Sequence, residues 1–160
     1  MLFETYITSP CGPIKIVTDE VAVKEVTILE QAAEESSNLP MIALEAKQQL
    51  TDYFNGVRTS FDLELQPVGT AFQQKVWQLL TEIPYGETVT YLQMAEQLGD
   101  VKVIRAAASA NGKNPIGIII PCHRVIGQNG KLVGYAGGLP NKRWLLDHEK
   151  EVTHGKWELF

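Results

Sequence analysis

The first third of the chain alternates between apolar and polar residues with a period of two. Residues 2–8, 14–18 and 21–29 carry this pattern, and two groups of turn-forming residues separate them, at positions 9–12 and 19–20. Alternation bounded by turn signals is typical of half-buried β-strands. The pattern therefore predicts an antiparallel meander of strands.

The hydrophobic period changes to that of an α-helix after Pro40. The apolar positions that recur at helical spacing are Ala43, Ala46, Leu50, Tyr53 and Phe54, and Gly56 follows them as a stop signal. Residues 59–67 are predicted to be a linker or a short strand. We place a domain boundary after them, so that residues 1–68 form an N-terminal α/β domain and residues 69–160 a second domain.

Three more helices are predicted beyond this boundary. Thr70 with Gln73, and Thr90 with Gln93, have the spacing of capping boxes and mark two helix starts. The second of these helices ends at Gly99, and a third is predicted from residue 101 to 111. Helix, glycine turn and helix is the layout of a helix-turn-helix, although an ordinary helical hairpin gives the same pattern.

The net charge of −5 conceals an uneven distribution of charged residues. Residues 1–100 contain 5 basic and 15 acidic residues, whereas residues 101–146 contain 7 basic residues and no Asp or Glu. Local charge sets the attraction to phosphates, so the basic stretch is a candidate surface for nucleic acid. On charge alone, a solvated basic face without a partner remains the alternative.

Several classes of protein are disfavoured by composition. The N-terminus has no basic segment followed by an apolar one, and no apolar run approaches the roughly 18 residues that a membrane span needs. We therefore expect a cytoplasmic protein without a membrane partner. The chain has 2 cysteines and 3 histidines, and none of them has zinc-finger spacing, so we expect free thiols.

The candidate nucleophile is Cys122, which follows a short apolar run. Residues 117–120 are apolar and rich in isoleucine, which predicts a buried extended segment. His123 and Arg124 come directly after the cysteine, and such neighbours can favour the reactive thiolate. Adjacent side chains of an extended segment point to opposite faces, however, so His123 can serve Cys122 only if the chain turns or a water relays the proton. The alternative is a buried cysteine that acts as a small apolar residue.

Residues 121–125, with the sequence PCHRV, resemble the active-site motif of the O6-alkylguanine-DNA alkyltransferases, or methylated-DNA-protein-cysteine methyltransferases. Other stretches fall in the same register: Phe72-Gln73, Val76-Trp77, residues 83–87, Thr90-Tyr91, Arg105-Ala106, Asn114-Pro115, residues 134–138, residues 144–146 and His148-Glu149. The resemblance covers nearly the whole chain. It implies an α/β protein of two small domains: an antiparallel sheet with a helix, ribonuclease H-like, and a mostly helical, winged helix-turn-helix-like domain that carries the cysteine.

The resemblance also implies an activity. A protein of this family transfers the methyl or alkyl group of O6-methylguanine in DNA to its own cysteine, here Cys122, and is irreversibly inactivated. It needs no cofactor. The implied partner is double-stranded DNA, contacted in the minor groove by a monomer with the damaged base flipped out of the stack. O4-methylthymine is left open as a second substrate.

Roles for individual residues follow from the resemblance. Cys122 would accept the alkyl group, His123 would act as general base through a water, and Glu149 would orient the histidine. Asn114 would hold the turn before the motif, and Tyr91 would donate a proton or hydrogen bond to the guanine.

A second set of residues would bind the substrate and the DNA. The backbone amides of Val125 and Ala136 would face the O6 atom, and Tyr135 belongs to the same substrate-binding segment. Arg105 would fill the gap that the flipped nucleotide leaves, and Ala106 and Ser109 are small enough for their helix to enter the groove. Many relatives have serine where this chain has Ala136, so a hydroxyl contact is missing. The zinc ligands that some relatives have in their N-terminal domains have no counterpart in this chain, so no metal is expected. Cys11 has no assigned role.

Two other functions remain as alternatives from the residues. One is a module that binds alkylated guanine without transferring anything, but the alkyltransferase-like proteins that do so have lost the cysteine, and Cys122 is present. The other is a Cys-His-Glu thiol hydrolase, which would have no use for the basic stretch.

Overall fold

The computed structural model describes residues 1–155, so the last residues of the predicted second domain, 156–160, lie outside the described part. The chain divides into two compact units. The first comprises Met1–Val68 together with Pro115–Ile119, and the second comprises Gly69–Asn114 and the residues from Ile120 onward. A five-residue piece from late in the sequence thus belongs to the first unit.

The first unit is built on an antiparallel sheet. Its strands are β1 (Phe3–Ile7), β2 (Ile14–Thr18) and β3 (Val23–Ile28), in the order β1-β2-β3. Helix α1 (Met41–Phe54) packs on the sheet through the apolar face that the helical spacing predicted. The fold class predicted for this part of the chain is confirmed, because each run with period two forms a strand and the run with helical period forms a helix.

Two short segments cover the outer edge of β3. Leu65 pairs with Val23, and Ile116 pairs with Val26, both in parallel orientation. The amide of Val26 donates to the carbonyl of Pro115 at 2.9 Å, and the amide of Gly117 donates to the carbonyl of Val26 at 2.9 Å. Unpaired edges expose backbone donors and acceptors, so these bonds explain why residues 115–119 belong to the first unit.

Residues 117–120 are buried or half-buried but not extended, which corrects the sequence-based prediction. The amide of Ile119 donates to the carbonyl of Gly117 at 2.7 Å, which closes a tight turn. Ile118 at its centre has a φ of 70°, a region that β-branched residues rarely adopt. Apolar β-branched residues signal burial, but their pattern cannot distinguish a strand from a buried turn in so short a run.

The second unit is mostly helical. Its helices are α2 (Ala71–Thr81), α3 (Tyr91–Gln97), α4 (Ile104–Gly112) and α5 (Leu139–Thr153). Both predicted capping boxes are present, at the starts of α2 and α3. The helix predicted from residue 101 begins instead with a 3-10 turn, Val101–Val103, and becomes α-helical at Ile104. None of the helices within residues 1–155 is long and apolar enough to cross a membrane.

A two-residue parallel pair brings distant parts of the second unit together. Strand β4 (Val89–Thr90) pairs with β5 (Val125–Ile126). Helix α3 starts directly after β4, and β5 follows directly after residues 122–124. The pair therefore positions the first residue of α3, Tyr91, near the segment that contains Cys122.

Candidate active site

The chain turns sharply at Cys122. Residues 122–124 form a 3-10 turn in which the amide of Arg124 donates to the carbonyl of Pro121 at 3.0 Å. Cys122 is 7% exposed and His123 is fully buried. The turn meets one of the two conditions under which His123 can serve Cys122, because successive side chains of a turn do not point to opposite faces as they do in a strand.

His123 is bound to Glu149 of α5. Its Nε2 lies 2.6 Å from Oε2 of Glu149. Burial by itself would raise the pKa of Glu149, but the hydrogen bonds and charges of His123 and Arg124 outweigh burial and hold this pKa well below its ordinary value. An ionised carboxylate only accepts hydrogen bonds, so the proton of the imidazole is on Nε2.

The other ring nitrogen of His123 is the basic one. Nδ1 is buried and has no hydrogen-bond partner within residues 1–155. Burial lowers the pKa of His123, and the positive charges of Arg124 and Lys142 act in the same direction, against the effect of Glu149. The imidazole is therefore neutral with a lone pair on Nδ1, which is the state that a general base requires.

Arg124 holds Glu149 from the other side. Its Nε donates to Oε1 of Glu149 at 2.8 Å and its Nη2 donates to Oε2 at 3.1 Å. Its Nη1 donates to the carbonyl of Ile83 at 2.7 Å. The amide of Gly86 also donates to Oε1 of Glu149, at 3.2 Å. Arg124 is only 6% exposed, so its charge is used inside the protein. The paired donors fix the carboxylate geometrically.

Cys122 rests in the thiol form. Burial raises the pKa of the thiol, and a hydrogen bond from the Asn114 side chain and the charge of Lys142 offset part of this effect. Asn114 also donates through Nδ2 to the carbonyl of Ile120 at 2.8 Å, which holds the chain just before the cysteine. The basic neighbours in the sequence therefore do not produce a permanent thiolate, and the proton must leave during the reaction.

Tyr91 presents a hydroxyl group near the cysteine turn. The hydroxyl donates to the carbonyl of Val133 at 3.1 Å. Burial raises the pKa of Tyr91, and the charge on Cys122 adds to this, whereas a hydrogen bond with Asn111 opposes it. Tyr91 is thus a protonated donor. The Nδ2 of Asn111 lies 3.5 Å from the carbonyl oxygen of Cys122, at the limit of a hydrogen bond.

Family models match both parts of the chain. The model described as "6-O-methylguanine DNA methyltransferase, ribonuclease-like domain" matches residues 2–67, and the one described as "6-O-methylguanine DNA methyltransferase, DNA binding domain" matches residues 71–151. The second match contains the complete arrangement around Cys122. The chain belongs to the O6-methylguanine-DNA methyltransferase family.

Relatives of this chain share nearly its whole length. A methylated-DNA–protein-cysteine methyltransferase of Methanosarcina acetivorans is 45% identical over 153 residues, which cover 92% of this chain and 98% of the relative. One from Mycobacterium bovis is 44% identical and covers 100% of this chain and 99% of the relative. The crystal structure of the Mycobacterium tuberculosis O6-methylguanine methyltransferase superposes with a TM-score of 0.84 at 46% identity, covering 94% of each chain.

The same mycobacterial protein has also been solved with DNA. That structure, described as "Mycobacterium tuberculosis OGT in complex with DNA", matches this chain with a TM-score of 0.83 at 45% identity, and the match covers 92% of each chain. The agreement extends the fold comparison to a relative in its DNA-bound form.

Helix α4 has two contrasting faces. Ala107, Ala110 and Asn111 are buried, and the carbonyl of Ala110 accepts a hydrogen bond from Nε1 of Trp77 at 2.8 Å. The exposed face carries the three residues for which a role with DNA was predicted: Arg105, Ala106 and Ser109. All three are therefore accessible on one helix.

Fewer basic residues of the stretch 101–146 lie at the surface than its sequence suggests. Arg124 and Lys142 are buried. The basic residues of this stretch that remain exposed are Lys102, Arg105, Lys113, Lys131 and Arg143. The sequence could not separate these two groups, because both are simply positive charges until the fold assigns them to the interior or the surface.

The remaining predicted residues lie on both sides of the turn. Val125 is fully buried at the start of β5. Tyr135 is half-buried and Ala136 is exposed, in the irregular segment that precedes α5. That the backbone amides of Val125 and Ala136 face an O6 atom stays a prediction. Within residues 1–155, no group of His, Cys, Asp and Glu side chains could hold a metal ion.

Sequence reasoning missed Arg124 and Lys142 as internal residues of the site. A signal was present in α5, whose buried positions are Lys142, Leu145, His148 and Glu149. Polar residues at the helical spacing of a core face indicate a buried polar network, because an ordinary amphipathic helix has apolar residues at those positions.

Proposed function

We propose that this protein repairs alkylated DNA by transferring the alkyl group from O6 of guanine to Sγ of Cys122. One observation supports this most directly. Cys122 directly precedes the buried, neutral imidazole of His123. Nε2 of this imidazole is bound to Glu149, and its Nδ1 can accept a proton. This arrangement lets a resting thiol lose its proton at the moment of attack.

The transfer is a substitution at carbon. The thiol proton of Cys122 passes to Nδ1 of His123, directly or through one water, and the sulfur attacks the alkyl carbon opposite its bond to O6. The S–C bond forms while the C–O bond breaks, and the electron pair of that bond stays on the oxygen. Glu149 stabilises the positive charge that the imidazole acquires.

Tyr91 supports the leaving group. Negative charge builds up on the purine as the C–O bond breaks, and a protonated phenol can donate a hydrogen bond to a ring nitrogen. The purine finally takes up a proton, so the products are unmodified guanine in the DNA and an alkylated cysteine. No cofactor enters this balance.

The reaction inactivates the protein. The product on Cys122 is a thioether, which water does not cleave at neutral pH, and the proposed mechanism includes no second cysteine that resolves it. Each molecule therefore acts once.

Double-stranded DNA is the proposed partner, and the exposed face of α4 is its proposed contact. Cys122 is buried, and the alkyl group of a stacked guanine cannot reach a buried thiol, so the nucleotide must flip out of the duplex before transfer. Arg105 lies among small residues on this face and has the length to enter the stack where the base was. Exposed basic residues beyond α4 would contact phosphates.

The defining experiment is intact mass spectrometry after mixing with DNA that contains O6-methylguanine. The protein should gain the mass of one methyl group, and the amount of repaired guanine should equal the amount of protein even with excess DNA. Repair of many guanines per protein molecule would contradict the stoichiometric mechanism. Tight binding of alkylated DNA without a mass gain would support the binding module instead.

A second arm tests the hydrolase alternative. A thiol hydrolase should release product from small activated esters repeatedly and leave no permanent modification. If this protein turns over such esters and is not methylated by DNA, the proposal is wrong.

A further inference from the structure

Lys142 is a buried lysine in an unusual setting. It lies on α5 and is fully buried, whereas lysines are almost never fully buried unless a carboxylate pairs with them. None of the ion pairs within residues 1–155 includes Lys142. Burying an ammonium group costs free energy, so the contacts at this position have to offset that cost.

The ammonium group binds two backbone carbonyls. Nζ donates to the carbonyl of Val133 at 3.2 Å and to the carbonyl of Gly134 at 3.1 Å. These carbonyls belong to an irregular segment, in which Gly134 has a left-handed φ of 63°. No helix or strand therefore fixes this part of the chain. Charge-assisted hydrogen bonds are stronger than neutral ones, and two of them hold the segment against α5.

Tyr91 shares one of these carbonyls. The Tyr91 hydroxyl donates to the carbonyl of Val133, which also accepts from Lys142. Nζ lies 5.9 Å from the centre of the Tyr91 ring, within the range of a cation–π contact. A single carbonyl oxygen thus connects the buried cation to the hydroxyl that is assigned to the leaving purine.

We propose that Lys142 is a positioning residue for alkyl transfer, which sets the orientation of the Tyr91 hydroxyl through the carbonyl of Val133. This inference rests on the proposed function, because it assumes that Tyr91 acts on the purine.

The shared acceptor also explains how Tyr91 can leave its partner. Two donors to one oxygen compete for its electron density, so the stronger ammonium bond weakens the bond from the phenol. When the Tyr91 hydroxyl turns to the purine, the carbonyl of Val133 keeps Lys142 as its donor. A carbonyl left without any donor would carry a free-energy penalty once substrate covers the segment. Without Lys142, the same rotation leaves this carbonyl without its protein donors.

A double-mutant cycle tests the connection. The variants are Lys142→Met, Tyr91→Phe and the double variant, and the readout is the single-turnover rate of transfer from a free O6-alkylguanine base at saturation, which leaves DNA binding out. Lys142→Met should slow transfer about tenfold more when residue 91 is Tyr than when it is Phe, a coupling of the size seen between residues in contact. Equal slowing in both backgrounds would overturn the proposal.

Conservative variants and a second readout separate positioning from other effects. Lys142→Arg keeps the charge and the donors and should restore part of the rate that Lys142→Met loses. Alkylation of Cys122 by iodoacetamide does not use Tyr91, so in Lys142→Met it should fall only through the lost effect of the positive charge on the thiol pKa, and by a clearly smaller factor than transfer does. If alkylation falls by the same factor as transfer, the charge acts on the thiol and the inference is wrong.

Folding and the proposed function have their own controls. Cooperative thermal unfolding of each variant shows whether it is folded, and Lys142→Gln, which keeps a neutral donor, replaces Lys142→Met in the cycle if the latter does not fold. The gain of one methyl mass by the wild type reports on the proposed function, and the cycle reports on Lys142. A wild type that accepts methyl but shows no coupling would overturn only the role of Lys142.

Discussion

The two cysteines of this protein are equally buried but lie in different chemical surroundings. Cys11 and Cys122 are each 7% exposed. Burial raises the pKa of Cys11 to about 11. Burial also raises the pKa of Cys122, but there Asn114 and Lys142 oppose it.

The residues next to each cysteine make the larger difference. Cys11 is in the turn between β1 and β2, with Pro10 and Gly12 as its neighbours, and neither side chain can accept a proton. Cys122 is followed by His123, whose free nitrogen can accept one. Burial therefore does not make a cysteine reactive. We propose that Cys122 is reactive because His123 can take its proton at the moment of attack, and variants of the two cysteines and their surroundings test this contrast.

The largest expected effect is the loss of transfer in Cys122→Ala. This variant should gain no mass from O6-methylguanine DNA, because its acceptor atom is missing, and it should still bind DNA. The matched variant Cys11→Ala should gain one methyl group, as the wild type does. Intact mass and peptide mapping measure both. A methyl group on any residue of Cys122→Ala would remove the contrast between the two cysteines.

Glu149→Gln should slow transfer strongly, since it weakens the base beside Cys122. General-base assistance contributes about 10² to 10⁴ in rate, which sets the expected loss. The variant also leaves the buried charge of Arg124 without its partner, at a cost of about 3–5 kcal/mol in the free energy of unfolding. Single-turnover rates and urea unfolding measure the two effects.

Glu35→Gln is the matched control for this change. Glu35 in the first unit also has a lowered pKa, through hydrogen bonds from Thr5 and Lys47. Its loss should leave the transfer rate unchanged. If both variants transfer at the wild-type rate, the Glu149 carboxylate does not contribute to transfer.

Arg105→Ala should slow repair of duplex DNA but not the reaction with a free O6-alkylguanine base. Flipping a nucleotide costs a few kcal/mol, and the Arg105 side chain offsets part of that cost only when there is a base stack to fill. We therefore expect the single-turnover rate on duplex DNA at saturating protein to fall roughly tenfold. Lys113→Ala is the matched control, as an exposed basic residue next to the same helix. It should weaken binding and reduce the salt slope by about one, without changing the rate when bound. Equal saturated rates for Arg105→Ala and wild type would leave Arg105 as a phosphate contact.

The smallest expected effect is a change in acid sensitivity. The folded-state pKa of Glu149 is below its ordinary 4.5, so its contribution to the free energy of unfolding is complete above that pH and is lost progressively as the pH falls below it. His123, with a pKa below 6.5 when folded, adds a loss in the same direction below pH 6.5, because the unfolded chain binds its proton more readily.

Urea unfolding between about pH 7 and about pH 3 measures this linkage. The stability of the wild type should fall steeply below the ordinary carboxyl pKa, and Glu149→Gln should lose part of that slope. Cys11→Ala should keep it. Identical slopes for wild type and Glu149→Gln would show that the carboxylate is not linked to stability.

Much of the fold could be predicted from the sequence because local patterns decided it. Period-two alternation gave β1 to β3, and the Thr70 and Thr90 capping boxes gave the starts of α2 and α3. These features depend on residues within a few positions of each other. The prediction failed at residues 117–120, because Gly117 is bound to Val26, far away in the sequence, and the chain turns at Ile118 directly after this contact.

The sequence by itself predicted which residues carry the chemistry: a cysteine followed by a histidine, and a later glutamate in register with a known motif. Only the tertiary structure decided their state. It placed Arg124 and Lys142 inside the second unit rather than on a basic surface, and it paired Glu149 with both His123 and Arg124. Burial and partner distance set the pKa of a group and the direction in which a donor points, and both depend on contacts between residues that the sequence keeps apart.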